Sequence, residues 1–283
     1  VDVDRNSRIV GFDEKPAFPK PMPGRPDRAL SSMGNYLFNT DVLLRALEEN
    51  ASEERAHDFG KDILPRLLHR ERVMAYNFQD NEIPGLAYYE EPGYWRDVGT
   101  VESYWAANMD FLSPTPPLPF DDPAMRIRTS GALMAPAYAG PRSTIHNALV
   151  SPAARIDGTV LRSVISPGVT IEEGAEVRDS VIQHRCVIRS GAVVDRCILD
   201  KEVIVGKGCV VGEGDESIVN RERPDIVNAG ISVVGKRVTI PPGLRIGRNV
   251  VIGPGVEREL HDFKELPCGT TVHPTQIPLH LFV

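Results

Sequence analysis

A seventeen-residue repeat in the second half of the chain constrains its fold more than any other feature of the sequence. Three stretches align at this interval, residues 162–165, 179–182 and 196–199, and glycines follow them in the same register at Gly174, Gly191 and Gly208. Within each unit the apolar residues recur at steps of six, six and five, at Ile165, Ile171, Val177, Ile182, Ile188, Val194, Leu199, Val205 and Val211. Such a period, with small residues between short β-branched segments, is typical of a parallel β-helix of three-sided coils. Each repeat therefore predicts one coil.

The repeat also predicts the core of this β-helix. The recurring apolar residues should point into the prism and stack on their counterparts one coil away, about 4.8 Å apart. The register places Ala175, Ala192 and Cys209 at one corner, where only small side chains fit. After a break at about residues 213–233 the pattern returns at Val234, Ile240, Ile246 and Ile252. Sandwich strands joined by Gly turns are the alternative, but the phase survives three coils. Hexapeptide-repeat proteins, which this segment resembles, imply a left-handed coil.

Length, charge and cysteine content limit the class of protein. A chain of 283 residues predicts about two domains. The net charge of −7 with scattered basic residues disfavours a nucleic-acid partner. There is no apolar run of roughly 18 residues and no signal-peptide pattern, which predicts a soluble, cytoplasmic protein. The four cysteines show no CxxC spacing, which disfavours disulfides and structural zinc. The start at Val1 without a methionine predicts a segment of something longer.

Residues 1–112 alternate strand-like and helical patterns, which predicts a mixed α/β domain. The strand candidates are Arg8–Asp13, Gly34–Phe38 and Val73–Phe78. Thr40 and Asp41 can cap one helix and Thr100 another. Five prolines between residues 113 and 123 predict an extended linker. We therefore divide the chain into a first domain at 1–112, a linker at 113–125, a β-helix at 126–256 and an irregular tail at 257–283.

Four short motifs in the first domain are candidates for chemistry. The first is Glu14-Lys15-Pro16, in which a lysine at a strand end could act as a point charge for a phosphate group. A solvated surface lysine is the alternative, so the assignment depends on the other motifs. These are Ser31-Ser32-Met33-Gly34, residues 58–65 with the sequence DFGKDILP, and residues 94–100 with the sequence YWRDVGT.

Together and in this order, the four motifs resemble the glucose-1-phosphate adenylyltransferase family, also called ADP-glucose pyrophosphorylase. The resemblance covers roughly residues 1–255. It implies the C-terminal half of a Rossmann-like mixed-sheet nucleotidyltransferase domain, followed by a left-handed parallel β-helix that serves regulation and oligomerisation. The Gly-rich phosphate loop of the family and its N-terminal metal-binding Asp are not in this sequence. We therefore expect the isolated chain to lack adenylyl transfer activity.

The resemblance implies a role for five residues. Glu14 would accept hydrogen bonds from the hydroxyls of glucose 1-phosphate, Lys15 would neutralise its phosphate as a catalytic residue, and Ser32 would contact the same ligand. Asp97 would be the second catalytic residue, as a ligand of Mg²⁺. Without the resemblance, Asp97 would be interpreted as a cap of the helix that follows it. Lys201 is similar in position to a residue that contacts an allosteric effector, although a solvated coil corner is an equal alternative.

The implied reaction joins ATP and glucose 1-phosphate to give ADP-glucose and pyrophosphate, in the synthesis of glycogen or another α-glucan. In-line transfer spreads negative charge over the transferred group, which a metal ion and lysines can stabilise without a covalent enzyme intermediate. The family also implies a homotetramer regulated by a glycolytic metabolite.

Three alternatives stay open. The chain could be a non-catalytic regulatory subunit that binds a sugar phosphate, although such a subunit would have little use for Asp97. It could act on another base or sugar, because the base is recognised outside this sequence. Acyl transfer with His184 as general base is disfavoured, because the extended loop of hexapeptide acyltransferases is missing.

Overall fold

The computed structural model describes residues 1–14, 16–53, 58–118 and 134–275. By their internal contacts these residues form two compact units, Val1–Glu82 and Ile83–Val283. Lys15 and the predicted linker from residue 119 onward lie outside the described residues. In the part of the chain that is described, no helix is both long and apolar enough to cross a membrane.

The first unit combines a small sheet with short helices. Its strands Asp2–Val3 and Ile9–Gly11 pair antiparallel, and a single bridge joins Arg8 to Met74. The helices are α1 (Thr40–Ala51), a π-helical turn (Phe59–Ile63), α2 (Leu64–Leu67) and a 3-10 turn (Phe78–Asp80). The buried core is formed by Ala46, Ile63 and Leu67, on which Phe38, Val42, Phe59 and Val73 pack.

The predicted strands of this unit are found only in part. Arg8–Asp13 contains the strand Ile9–Gly11, and Val73–Phe78 contributes the bridge at Met74. Gly34–Phe38 forms no ladder with any described residue, so the prediction of a strand there was wrong. A strand is stable only when its backbone groups have ladder partners, and this segment instead packs its aromatic side chains on Phe59.

The predicted helix starts are close to the observed ones. Helix α1 begins at Thr40, but its N-cap residue is Asn39. Asp41 lies in the first turn, where the positive end of the helix dipole stabilises a carboxylate. Helix α3 (Val101–Asp110) is capped by Thr100, as the sequence predicted. Thr100 Oγ1 accepts from Ser103 N at 3.1 Å and Ser103 Oγ accepts from Thr100 N at 3.1 Å.

The β-helix predicted from the repeat is confirmed. Its strands form three parallel sheets of six, seven and seven strands, which we call the first, second and third face. The first face contains Tyr138–Ala139, Arg155–Ile156, Thr170–Ile171, Val187–Ile188, Ile204–Val205 and Thr239–Ile240. The second contains Thr144–His146, Thr159–Leu161, Glu176–Arg178, Val193–Asp195, Val210–Glu213, Arg245–Gly247 and Glu265–Leu266. The third contains Leu149–Val150, Val164–Ile165, Val181–Ile182, Cys197–Leu199, Ser232–Val234, Val251–Ile252 and Thr271–Val272.

The coils stack in the register that the repeat predicted. Val177 pairs with Val160 on one side and with Val194 on the other, each exactly one repeat unit away in sequence. All the recurring apolar residues are buried in one continuous core, as are Ala175, Ala192 and Cys209. At the corner beside them, Gly174, Gly191 and Gly208 have φ angles of 72°, 70° and 66°, a backbone conformation that glycine adopts without strain.

Two segments depart from the regular repeat. Residues 214–231 leave the coil as an insertion between Val210–Glu213 and Ser232–Val234, at the predicted break. The region expected to be an irregular tail from residue 257 begins with a 3-10 turn (Arg258–Leu260) and then returns to the β-helix. There Glu265–Leu266 pairs with Arg245–Gly247, and Thr271–Val272 pairs with Val251–Ile252. Leu266 and Val272 are buried in the core, and this burial explains why the coil resumes.

Candidate functional site

The carboxylate of Glu14 lies against the backbone of Gly60. A Cβ atom built on Gly60 would be only 2.7 Å from Glu14 Oε2 and 3.4 Å from a ring carbon of Phe12. Real Cβ atoms do not approach so closely, so the observed placement of Glu14 depends on glycine at position 60. The first motif and the DFGKDILP motif therefore meet in the first unit, with Glu14 itself exposed to solvent.

The local chemistry of the DFGKDILP motif shapes the turn that contains Gly60. Asp58 Oδ1 accepts a hydrogen bond from Lys61 N at 2.9 Å, and Asp58 N donates to Asp62 Oδ2 at 3.0 Å. The two carboxylates thus bond to backbone N–H groups at the start of the turn, as capping residues do. Asp62 and Ile63 are buried beneath it. These hydrogen bonds hold the turn, and Gly60 is buried within it.

Ser32 is linked to the same turn through an aromatic side chain. Its Oγ lies 3.0 Å from Tyr36 Oη, and it accepts from Gly34 N at 3.2 Å. The Tyr36 ring stacks on Phe59, with ring centroids 5.8 Å apart and planes inclined by 25°. A chain of contacts therefore runs from Ser32 through Tyr36 and Phe59 to Gly60 and Glu14. We call these five residues the Glu14–Ser32 cluster.

Asp97 lies in the second unit, just before α3. Its side chain is exposed, and Oδ1 accepts from Gly99 N at 2.9 Å. The capping of α3 is performed by Thr100 and Ser103, so Asp97 is not the N-cap residue. A carboxylate oxygen is a ligand that Mg²⁺ prefers, and Mg²⁺ commonly takes only one or two carboxylates together with phosphate oxygens. Asp97 fits that role as a single ligand. The described residues contain no group of three or more His, Cys, Asp or Glu that could hold a metal ion.

The residue before Asp97 is fixed by charge. The Arg96 guanidinium bonds to both oxygens of Glu91, at 2.8 and 3.0 Å, and to Asp110 Oδ2 at 3.1 Å. It also lies 4.4 Å from the centre of the Tyr94 ring. The hydrogen bonds from Arg96 hold the pKa of Glu91 below its usual value, whereas burial raises the pKa of Tyr94. Arg96 is therefore a structural anchor and is not available as a ligand for a substrate anion.

Lys201 occupies an exposed corner of the β-helix. Its N–H donates to Asp200 Oδ1 at 2.7 Å, and its carbonyl accepts from Arg237 N at 2.9 Å. The neighbouring Glu202 pairs with Arg185 and with Arg237. The hydrogen bonds from these two side chains lower the pKa of Glu202 to about 2, and the bond from Arg185 has the larger effect. His184 lies on the same corner one coil earlier, where its carbonyl accepts from Glu202 N at 2.9 Å.

Three residues of the cluster were not predicted from the sequence: Tyr36, Phe59 and Gly60. Each lies in or next to a motif that carried the family resemblance, and that position was the signal that could have identified them. The structure brings Glu14 and Ser32 to one cluster in the first unit. It places Asp97 and Lys201 in the second unit, on separate elements.

Comparisons with known proteins match two families to successive parts of the chain. A model of the nucleotidyl transferase family matches residues 1–113, and a model of the GlmU-like C-terminal hexapeptide family matches residues 131–234. The second match supports the left-handed coil, since hexapeptide repeats were the basis of that prediction.

Relatives with an assigned name match almost the whole chain. A glucose-1-phosphate adenylyltransferase of Acetivibrio thermocellus is 40% identical over 256 residues, which is 90% of this chain and 55% of the relative. The enzyme of the same name from Thermomicrobium roseum is 41% identical over 276 residues, 97% of this chain and 60% of the relative. That of Photobacterium profundum is 37% identical over 253 residues, 87% of this chain and 60% of the relative.

The chain thus spans about 55–60% of the length of these curated relatives. The resemblance inferred from the motifs is confirmed: this chain is similar, along about 90% of its length, to bacterial glucose-1-phosphate adenylyltransferases.

Proposed function

We propose that this chain supplies the sugar-phosphate half of a nucleotidyltransferase that makes ADP-glucose and pyrophosphate from ATP and glucose 1-phosphate. The observation that carries the proposal is the Glu14–Ser32 cluster. Two residues that the motifs assign to the same ligand, 18 positions apart in sequence, are connected by the Tyr36–Phe59 stack and by Gly60. The names of the relatives supply the reaction.

In this proposal the chain's own side chains bind and orient glucose 1-phosphate. Glu14 accepts hydrogen bonds from sugar hydroxyls, and Ser32 Oγ donates to a phosphate oxygen. Lys15 neutralises the phosphate, whose oxygen attacks the nucleotide. Charge-assisted hydrogen bonds of this kind are about twice as strong as neutral ones, so Glu14 and Lys15 should contribute most of the affinity. Asp97 would hold Mg²⁺, which supplies charge stabilisation to the transferred phosphoryl group.

The remaining expectations belong to the same proposal. We assign the catalytic part to residues 1–112, the linker to 113–125 and the regulatory and oligomeric part to the β-helix from residue 126. The family resemblance implies a homotetramer in the cytoplasm and a role in glycogen or α-glucan synthesis. It also implies an effector from glycolysis that contacts Lys201. They are tested by the oligomeric mass and by activation assays on the full-length protein.

The first experiment measures binding by titrating glucose 1-phosphate into the 283-residue chain, followed by calorimetry or by amide chemical shifts. Glu14→Gln should weaken binding about tenfold or more, since a hydrogen bond to a charged group contributes about 1.5–3 kcal/mol. The matched control is Glu48→Gln, another exposed carboxylate of the first unit, which should leave the affinity unchanged. Equal losses in the two variants would contradict the role of Glu14.

The second experiment separates catalysis from binding. Pyrophosphate release from ATP and glucose 1-phosphate with Mg²⁺ is measured for the full-length protein and for its Asp97→Asn variant. The catalytic function is supported if the full-length protein releases pyrophosphate and the Asp97→Asn variant does so at least a hundredfold more slowly. Binding of glucose 1-phosphate without release by the full-length protein would instead favour the regulatory-subunit alternative.

A further inference from the structure

Helix α3 is packed on the outside of the β-helix. Side chains of a strand alternate between its two sides, so Val181 and Ile198 point away from the core formed by their neighbours Ile182 and Leu199. An outward residue of a β-helix is normally solvated. Here Val181 is 2% and Ile198 is 7% exposed. They form a second apolar cluster together with Ile231, Ala229 and, from α3, Val101, Tyr104, Trp105 and Met109.

Two hydrogen bonds fix the position of α3 on this surface. Trp105 Nε1 donates to the carbonyl of Asp179 at 2.7 Å, and Gln183 Nε2 donates to Tyr104 Oη at 3.0 Å. The guanidinium of Arg196 lies 5.6 Å from the centre of the Trp105 ring. Apolar contacts tolerate sliding, whereas a hydrogen bond to a backbone carbonyl specifies one position. The third face therefore sets both the position and the rotation of α3.

The segment that contains Asp97 is tied to α3 at both ends. On its C-terminal side, Gly99 and Thr100 lead directly into the reciprocal hydrogen bonds between Thr100 and Ser103. On its N-terminal side, Arg96 bonds to Asp110, the last residue of α3. Any shift of α3 along the third face would therefore move the backbone on both sides of Asp97.

We propose that Trp105 and Gln183 are positioning residues for Asp97, through which the β-helix holds the metal-binding carboxylate in place. This inference rests on the proposed function for the role of Asp97. Misplacement of a reacting group by about 1 Å can cost a hundredfold in rate. A helix held by hydrogen bonds to a rigid sheet limits such misplacement. The β-helix thereby contributes to the chemistry without touching a substrate.

The test uses Trp105→Phe, which keeps an aromatic ring but removes the N–H donor with part of the indole, and Gln183→Met, which keeps the length and removes the donor. Amide hydrogen exchange of residues 98–103 is measured in the 283-residue chain. We expect at least a tenfold loss of protection in both variants at Gly99, Thr100 and Ser103, whose N–H groups are hydrogen-bonded. Glu173→Gln is the matched control, because Glu173 forms an exposed ion pair with Arg142 on the β-helix. It should leave these amides unchanged.

A second readout uses the full-length protein. The Mg²⁺ concentration that gives half-maximal pyrophosphate release should rise severalfold in Trp105→Phe and Gln183→Met, with the KM for glucose 1-phosphate unchanged. A purely structural role would lower the unfolding temperature and leave the Mg²⁺ dependence as it is. That result would overturn the proposal, and so would unchanged exchange at residues 98–103. If the wild-type protein released no pyrophosphate, the proposed function would be refuted instead. Amide hydrogen exchange would then still test whether Trp105 and Gln183 position the segment.

Discussion

At position 60 the side chain is a hydrogen atom, and the carboxylate of Glu14 occupies the space that a methyl group would need. The residue scale is where the candidate site is most sensitive, because Glu14 and Ser32 are exposed or half-buried and are not held by a core. Their placement depends on a few contacts with Phe59, Gly60 and Tyr36.

We predict that Gly60→Ala weakens glucose 1-phosphate binding to the 283-residue chain several-fold by displacing Glu14. Stability should change little, since alanine favours a helical turn over glycine by about 1 kcal/mol, which offsets the cost of moving a flexible side chain. Calorimetric titration and thermal unfolding measure the two effects. A double-mutant cycle is the control: in a Glu14→Ala background, Gly60→Ala should have no further effect on binding. An equal loss in both backgrounds would show that Glu14 is not the group displaced.

At the scale of elements, the insertion at residues 214–231 is held by two buried asparagines. Asn249 accepts from Gly230 N at 2.8 Å and donates to the carbonyls of Glu216 and Ile218 at 3.0 and 2.8 Å. Asn220 donates to Asn249 O at 3.0 Å and accepts from two backbone N–H groups of its own loop. The insertion also contributes Ile231 to the cluster beneath α3. It is therefore an ordered support of the third face.

We predict that Asn249→Ala lowers the free energy of unfolding by about 3 kcal/mol, because three hydrogen bonds of about 1 kcal/mol each are lost. Chemical denaturation of the 283-residue chain measures this. The control is Asn228→Ala, an exposed residue of the same loop with one side-chain hydrogen bond, which should cost less than about 1 kcal/mol. Similar costs for the two substitutions would contradict the supporting role of Asn249.

The same scale separates what the sequence predicts from what it does not. The column of Ile and Val residues was predictable, because each coil repeats one local pattern and buries it in the same way. The contact of Glu14 with Gly60 was not, because it joins segments about 46 positions apart by a fit that no periodicity encodes. The packing of α3 on the third face was predictable in part. Apolar residues at outward positions, Val181 and Ile198, were a visible signal that something covers the third face.

At the scale of the whole molecule, the thiols report on how tightly the β-helix is packed. Cys186, Cys197 and Cys209 are buried, and Cys268 is partly exposed. Burial raises the pKa of the Cys186 and Cys197 thiols to about 12, and it also raises the pKa of Cys209. Since the thiolate is the reactive form, these three cysteines should be inert in the folded protein.

We predict that at pH 8 without denaturant an aromatic disulfide reagent modifies Cys268 alone, and that all four cysteines react after unfolding. Because the folded pKa values of the buried thiols lie above the unfolded value of about 9, ionisation favours the unfolded state as the pH rises past 9. The temperature at the midpoint of unfolding should therefore decrease as the pH rises from 9 to 12. Cys268→Ser should remove the fast reaction and leave the slow ones. Fast modification of more than one thiol would contradict the packing described here.

The regular stacking of the coils gives the molecule a unit of length. Each coil adds one strand to every face and advances the axis by about 4.8 Å, and each contacts only its neighbours, so stability is close to a sum over coils. The gain or loss of one whole repeat changes the length of the β-helix by one coil and leaves the register of the remaining coils unchanged. The distance between the two ends of the β-helix can thus evolve in fixed increments, whereas a long insertion within a coil leaves the prism as a loop, as residues 214–231 do.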